Sequence, residues 1–297
     1  MLRDRTVAWV PSLVLALATV TSGCGAEPAA PSLEGLEVGE AVSAFVGMQQ
    51  DRYELPPAAT AAALAGAVLD LQQGRPEQAR RTAEEHGYAV VTLAGDSLAL
   101  APDRLPDERG WGLYVVRPDG LDLAVEVPHP RADLDTEHVG AELTSALGAR
   151  YLLVAGADRG AADGAADGAA DVAHRDDAVF TAVHRVLAEQ QVPALQLHGF
   201  AATSLPGADL VISPGAAPLS PLAEQVAASG TAAGLDVCRA WDGSCGRLEG
   251  RTNVQGRASA ATGAAFVHVE AVRDLRRDAE RGVLVRLLAD AVQDAPG

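Results

Sequence analysis

The alternation of strand and helix patterns after His86 constrains the fold of this chain more than any other feature. Short apolar runs bounded by Gly and Pro predict strands at 88–92, 112–116, 121–127, 151–155, 194–197, 210–212 and 265–269. Apolar residues at helical spacing predict helices between several of them, at about 136–147, 178–189, 222–229 and 275–292. Alternation of this kind is typical of an α/β sandwich with a mixed or parallel sheet.

The N-terminal residues have the layout of an export signal. Arg3 and Arg5 precede an apolar run at 7–20, and Thr21, Ser22 and Gly23 are small residues that lead to Cys24. The pattern predicts a bacterial lipoprotein whose signal peptide, residues 1–23, is removed and whose Cys24 carries lipid on the outer face of the cell membrane. The alternative is a conventional signal peptide followed by an incidental cysteine.

The remaining chain divides by composition. Residues 24–32 are small and contain Pro, which predicts a lipid-anchored linker. Residues 33–85 have helical apolar spacing and no group that suggests chemistry, so we expect a small helical appendage. Residues 86–297 form the predicted α/β domain. Within it, residues 160–171 repeat Ala-Ala-Asp-Gly, which favours a loop insertion over a calcium-binding repeat.

Cysteine count and charge limit the environment and the partners. The chain has three cysteines, so lipidation of Cys24 leaves Cys238 and Cys245 to form a local disulfide. The net charge of −17 argues against a nucleic-acid partner. We expect contact with the membrane only through the lipid anchor, and the sequence does not predict an oligomeric state.

Potential metal ligands follow two predicted strands. Pro128 ends one strand and leaves His129 and Asp133 on the next loop, and a second strand ends at His198. Ligands of open α/β sheets bind at the carboxyl ends of strands, so these side chains can converge. Two imidazoles and a carboxylate leave an open coordination position, as in catalytic zinc sites, and non-haem iron uses a similar set. Each histidine alone is more often structural.

Two further strand ends carry charged residues. Glu270 emerges at the end of the last strand, where a carboxylate could act as general base, although pairing with Arg273, Arg276 or Arg277 would also explain it. Arg159 follows another strand and could bind a substrate carboxylate or an oxyanion. Further polar residues could line the same mouth: His174, Arg175, Asn253 and Arg257.

No phosphate-binding glycine loop, Gly-x-Ser-x-Gly elbow or His-Glu-x-x-His motif is present, which disfavours nucleotide enzymes and serine hydrolases. The motifs of residues 110–292 resemble those of zinc-dependent hydrolases of the carboxypeptidase-like superfamily, particularly poly-gamma-glutamate hydrolases and N-formylglutamate amidohydrolases. The resemblance lies in the His129 loop that leads through Asp133, in Leu197-His198-Gly199, and in the strand that bears Glu270.

This resemblance implies a three-layer α/β/α sandwich of the phosphorylase/hydrolase type with a mixed sheet. It implies one zinc ion bound by His129, Asp133 and His198, and Glu270 as the base. It also implies Arg159, His174 and Arg175 as substrate contacts. The family usually has Glu at the position of Asp133, so Asp135 and Glu137 remain alternative ligands.

The sequence therefore predicts an exported zinc-dependent hydrolase that cleaves an amide bond, of the peptide or γ-glutamyl type, in a small peptide or a carboxylate-bearing polymer. The alternative from another class is a non-catalytic lipoprotein of the envelope that binds a peptide or a metal. A structural envelope protein is a third interpretation, and it predicts that His129, Asp133, His198 and Glu270 lie scattered in the fold.

Overall fold

A mixed sheet of nine strands crosses the part of the chain that the computed structural model describes, residues 32–161 and 168–296. The strands are β1 (Tyr88–Thr92), β2 (Leu98–Pro102), β3 (Leu113–Val116), β4 (Leu121–Val127), β5 (Ala149–Val154), β6 (Ala194–Phe200), β7 (Leu210–Ser213), β8 (Val237–Arg239) and β9 (Phe266–Val272). Their order is β1-β2-β3-β5-β4-β6-β9-β7-β8. The strand β4 pairs in parallel with β5 and β6, and β6 pairs in parallel with β9.

Parallel pairing at the centre decides where a site can form. The strands β4, β6 and β9 are neighbours that run in one direction, so their carboxyl ends meet at one edge of the sheet. The outer strands β1, β2, β3 and β7 pair antiparallel with their neighbours β2, β3, β5 and β9. The predicted convergence of strand ends is therefore present in the described residues.

Helices cover both faces of the sheet. Their bounds are α1 (Val38–Gly47), α2 (Ala58–Gln72), α3 (Pro76–Glu85), α4 (Thr136–Leu147), α5 (Val179–Glu189), α6 (Pro221–Ala232), α7 (Val254–Thr262) and α8 (Asp278–Asp294). One apolar core lies between the sheet and α1, α4, α6 and α8, and a second lies between the opposite face and α2, α3, α5 and α7. The predicted three-layer α/β/α sandwich with a mixed sheet is confirmed.

Residues 33–85 do not stand apart as the predicted appendage. They form α1, α2 and α3, but Pro31–Gly297 is a single compact unit. The helix α1 packs on α4, and α2 packs on α5 on the other side of the sheet. The apolar faces of these helices are buried against the sheet layers, because a short helix becomes stable mainly through tertiary packing.

Several predictions fall on residues that the structure does not describe. The signal segment 1–23, Cys24 and most of the linker 24–32 lie outside the described residues, as do residues 162–167 of the repeat. Among the residues that are described, no helix is both long enough and apolar enough to cross a membrane.

Candidate active site

One face of the central strands changes from apolar to polar along its length. Ala124 in the middle of β4 packs in a core with Ala194 and Phe266, which begin β6 and β9. Further along the same face, Gln196 pairs in register with His268, and His198 pairs with Glu270. Side chains at paired positions of neighbouring strands project from the same face. The sheet therefore places two imidazoles and a carboxylate side by side at its carboxyl edge.

The structure brings His129, Asp133 and His198 together. One ligand atom from each lies within 4.8 Å of the others, and all three side chains are buried. Nδ1 of His129 lies 3.3 Å from Oδ2 of Asp133, and Nδ1 of His198 lies 3.2 Å from the same oxygen. Three potential ligands thus converge on one point from β6 and from the loop after β4.

The outer nitrogens of the two histidines each have a hydrogen-bond partner. Nε2 of His129 lies 2.8 Å from Oδ1 of Asp171, and Nε2 of His198 lies 2.9 Å from Oε1 of Gln196. Metal-binding histidines in proteins almost always bond a carboxylate or carbonyl oxygen through the nitrogen that faces away from the metal. Both rings have this arrangement, with Nδ1 as the inner nitrogen.

Burial and hydrogen bonds together set the pKa values of the three clustered side chains. Burial alone would raise the pKa of Asp133, but its interactions with the histidines, the hydrogen bond with His129 foremost, outweigh burial and lower that pKa. Burial alone would lower the pKa of His129, and its bonds to Asp133 and Asp171 outweigh burial and raise it. For His198, burial and the neighbouring His268 lower the pKa to about 4. Asp133 is therefore ionised and His198 neutral at pH 7.

Arg276 hydrogen-bonds to the main chain of the loop that carries Asp133. The buried guanidinium donates to the carbonyl oxygens of Asp133 and Leu134, and its Nε donates to that of Ala271 at 3.1 Å. Gly199 makes this possible, because a Cβ at that position would lie 2.5 Å from Nη2 of Arg276 and closer still to Cζ. The absence of a side chain at Gly199 thus allows Arg276 to approach the strand closely.

The alternative carboxylates do not join the cluster. Asp135 lies at the start of α4, and its Oδ2 is 3.4 Å from Arg273. Glu137 lies beside His138, whose Nε2 is 3.6 Å from Oε1 of Glu137. Asp133 is the carboxylate that lies with His129 and His198 in the described structure.

Glu270 is buried on the cavity side of β9. Its Oε1 lies 3.5 Å from Nε2 of His268, and its Oε2 has no hydrogen-bond partner among the described residues. The arginines that could have neutralised Glu270 at the surface interact elsewhere: Arg273 with Asp135, Arg277 with Asp274, and Arg276 with main-chain carbonyls. An unpartnered carboxylate oxygen beside the ligand cluster is suited to accept a proton from a reacting molecule.

A cavity of about 580 Å³ opens over the cluster, and His129, Asp133, His198, His268 and Glu270 all line it. Of the predicted substrate contacts, Arg159, His174 and Asn253 also line it. Arg159 donates to Oδ2 of Asp171 at 2.8 Å, and Nε2 of His174 lies 3.2 Å from the Thr252 hydroxyl. The cavity volume is within the usual range for small-molecule sites.

Two predicted substrate contacts lie outside this lining. Arg175 is bound to the carboxylate of Asp177, with Nε 2.9 Å from Oδ1. Arg257 lies on α7 and donates to the carbonyl of Thr252 at 3.0 Å. In their place, the described lining contains Arg247 and Arg251, from the polar stretch that follows the cysteine pair.

The segment after the predicted disulfide lines the cavity. Cys238 and Cys245 are bonded, and residues 246–253, which follow, form part of the cavity wall. Gly250 has a φ of +59°, and a Cβ there would lie 2.7 Å from Nδ1 of His268. A glycine is needed at this point because the main chain crosses directly over the imidazole.

The donor set fits a zinc ion. Two imidazole nitrogens and one carboxylate oxygen are ligands that zinc accepts, and a three-residue set leaves a position for water or substrate. Both outer nitrogens have oxygen partners, as zinc-binding histidines require. Among the residues that are described, Oε2 of Glu270 and both nitrogens of His268 have no hydrogen-bond partner, and both side chains line the same cavity, where a bound group can satisfy them.

The sequence patterns missed the residues behind this cluster. Asp171 is the last residue of the Ala-Ala-Asp-Gly repeat, and nothing in the repeat distinguishes it as the partner of His129. Glu126 and His184 form a pair that is buried in the described structure, with Oε1 and Nδ1 2.7 Å apart. A signal was available for Glu126, since a charged residue interrupts an apolar strand, but nothing local connects it to His184 58 residues later.

No protein-family model matches the chain, and no curated protein matches it significantly. Solved structures similar to it include a bacteriophage poly-gamma-glutamate hydrolase, with a TM-score of 0.42 and 11% identity over 58% of this chain and 83% of that one. A zinc-free form of YndL has a TM-score of 0.43 and 10% identity, over 61% and 89%. A gene product of Agrobacterium tumefaciens has a TM-score of 0.43 and 16% identity, over 60% and 91%.

Proposed function

We propose that the protein is a zinc-dependent hydrolase that cleaves an amide bond of the peptide or γ-glutamyl type. The convergence of Nδ1 of His129, Oδ2 of Asp133 and Nδ1 of His198 in one cavity carries this proposal. Glu270 lines the same cavity, and its Oε2 has no hydrogen-bond partner in the described part of the chain. A scattered arrangement of these residues, as expected for a structural protein, is excluded by their shared cavity.

His129, Asp133 and His198 would hold one zinc ion. A zinc ion in such a site supplies a Lewis acid that polarises a carbonyl oxygen and makes water a stronger acid at neutral pH. Asp171 and Gln196 hold the two imidazoles in place through their outer nitrogens. Arg276 holds the main chain at Asp133.

Glu270 is the proposed general base. Its Oε2, which has no hydrogen-bond partner among the described residues, accepts a proton from the attacking water while the water oxygen bonds to the amide carbon. The same carboxyl group then gives that proton to the leaving nitrogen as the C–N bond breaks, so Glu270 ends the reaction ionised.

The substrates proposed are small peptides or polymers that bear carboxylates. Arg159 lines the cavity with its side chain 40% exposed, and Asp171 fixes one end of its guanidinium. The remaining N–H donors can bind a carboxylate of the substrate in two-point fashion. His174 and Asn253 lie in the same lining and can add hydrogen bonds.

Substitution of Glu270 by Gln tests the enzyme against the binding alternative. We expect Glu270→Gln to bind zinc as the wild type does and to lose at least about a hundredfold in hydrolysis of γ-glutamyl and α-linked peptides. His129→Ala should lose zinc, whereas Asp135→Asn, which changes a neighbouring carboxylate outside the cluster, should keep both zinc and activity. Zinc is measured by metal analysis after gel filtration. Absence of zinc in the wild type, or turnover that is unchanged in Glu270→Gln, would contradict the proposal.

We also propose that the protein is exported and anchored through lipid on Cys24. The basic, apolar and small segments before Cys24 support this, and the Cys238–Cys245 disulfide suits an oxidising compartment. Fractionation of cells that express the wild type and Cys24→Ala tests the anchor. The wild type is expected in the membrane fraction and the variant in soluble form, and equal fractionation would overturn the anchor.

A further inference from the structure

The outer nitrogen of His198 faces a side-chain amide. Nε2 of His198 lies 2.9 Å from Oε1 of Gln196, two residues earlier on β6, and both side chains are buried. The inner nitrogen, Nδ1, lies 3.2 Å from Oδ2 of Asp133. A neutral imidazole has one N–H and one lone pair, so only one of these two oxygens can accept a hydrogen bond from it.

The orientation of the Gln196 amide is fixed by Glu126. The amide nitrogen Nε2 donates to Oε2 of Glu126 at 2.9 Å. A carboxylate accepts hydrogen bonds and cannot donate them, so the NH₂ end of Gln196 must face Glu126. The oxygen end therefore faces His198.

Asn253 fixes the same orientation independently. Its Oδ1 accepts from the main-chain N–H groups of Gln255 at 2.9 Å and Gly256 at 3.3 Å, where it caps α7. Its Nδ2 must then face the other way, and it donates to Oε1 of Gln196. Two neighbours with defined polarity thus present the oxygen of Gln196 to His198.

We infer that Gln196 is a positioning residue that selects the Nε2–H tautomer of His198 and leaves the lone pair of Nδ1 for zinc. The inference deepens the proposed function and rests on it for the role of the lone pair. The bond to Gln196 is shorter than the contact with Asp133, and Oδ2 of Asp133 is already shared with Nδ1 of His129 at 3.3 Å. Gln196 is thus the better acceptor for the single proton of His198.

A buried chain of polar groups stands behind Gln196. Glu126 is fully buried, and its second oxygen, Oε1, lies 2.7 Å from Nδ1 of His184. Nε2 of His184 lies 3.2 Å from the Ser259 hydroxyl, which closes the chain between α5 and α7. Each bond polarises the next, so the carboxylate of Glu126 strengthens Gln196 as an acceptor and His198 as a ligand.

The tautomer can be measured in the metal-free wild type, without any variant. Long-range ¹H–¹⁵N correlation spectra at neutral pH distinguish a protonated ring nitrogen from one with a free lone pair. We expect the His198 signals to show a protonated Nε2 and an unprotonated Nδ1. A protonated Nδ1 with an unprotonated Nε2 would overturn the inference.

Zinc affinity gives the second measurement, by competition with a chromophoric chelator. Gln196→Leu is expected to weaken zinc binding about 10- to 100-fold, in the range found when the outer partner of a zinc-binding histidine is removed. Gln255→Leu is the matched control, because it removes an equally buried amide that donates to Thr181 and to the carbonyl of Val172. Its oxygen accepts only a long bond from Nε2 of Gln196, at 3.4 Å, and leaves the Glu126 and Asn253 bonds that orient Gln196 in place. The zinc affinity of Gln255→Leu should stay within about threefold of the wild type.

The outcomes separate this inference from the proposed function. If the wild type binds no zinc but its metal-free spectra show the Nε2–H tautomer, the hydrolase proposal fails and the selection by Gln196 stands. If the wild type binds zinc and both Leu variants lose affinity equally, Gln196 acts only through packing and the inference is wrong.

Discussion

A single methyl group added at Gly199 should damage the site without touching any proposed ligand. In Gly199→Ala the new Cβ would lie 2.5 Å from Nη2 of Arg276, far inside van der Waals contact. Arg276 is only 3% exposed and bonds three carbonyl oxygens, so its guanidinium cannot step aside while it keeps those bonds. The substitution therefore forces Arg276 out of its place.

The size of the effect follows from the bonds that are lost. A hydrogen bond from a charged donor contributes about 1.5 to 3 kcal/mol. The loss of one or two of the three bonds of Arg276 should therefore lower the free energy of unfolding by about 2 to 5 kcal/mol, out of a typical total of about 5 to 15 kcal/mol. The corresponding fall in Tm is roughly 10 °C for a domain of this size. Zinc affinity should fall too, because Arg276 holds the main chain at Asp133.

Chemical denaturation and zinc titration of Gly199→Ala measure both effects. Gly66→Ala in α2 is the matched control, since a Cβ there meets no atom within 4 Å and alanine favours a helix by up to about 1 kcal/mol. The control should be as stable as the wild type or slightly more so. A Gly199→Ala protein that behaves like this control would refute the reasoning, because Arg276 would then be free to move without loss.

Three further predictions concern charges and the disulfide. Asp171→Asn should lower zinc affinity about 10- to 100-fold in a chelator competition, since the amide is a weaker partner for His129 than the carboxylate; unchanged affinity would contradict the bond's role. Burial raises the pKa of Glu137, so the ionised form of this carboxyl group destabilises the fold. Glu137→Gln should therefore be more stable than the wild type at pH 7. Below the pKa of an unfolded glutamate this gain should disappear, and urea denaturation at both pH values checks the sign. The double change of Cys238 and Cys245 to Ser should cost roughly 2 to 3 kcal/mol of stability, from the chain entropy of a short loop, with zinc binding retained.

The central strands and the ligand cluster were predictable from the sequence because their signals are local. Pro128 directly follows β4, and Gly199 follows His198 near the end of β6, so both mark the sheet edge where a polar residue lies, and parallel strands align such edges. His129, Asp133 and His198 were identified in this way, and the structure brings them together. The disulfide followed from cysteine number and spacing and is confirmed.

Other elements carried too little local signal. The strand β2 is Leu-Ala-Leu-Ala-Pro, in which alanine has low strand propensity, and it exists because β1 and β3 pair with its two sides. The helix α7 has little apolar periodicity and is fixed by the Asn253 cap and by packing on α5. The outer partners Asp171 and Gln196 depend on contacts that only the fold creates.

The distribution of satisfied and unsatisfied polar atoms explains why function collects at one edge of the sheet. Buried polar groups cost free energy unless they are hydrogen-bonded, and Glu126, Gln196 and His184 meet that condition through one another. Along the same face, His268 and Glu270 keep buried atoms without hydrogen-bond partners among the described residues, and both line the cavity. A bound group or water can supply the hydrogen bonds that these atoms lack, whereas the saturated side of the face has none left to gain. A substrate or a metal therefore gains most by binding at the unsaturated edge.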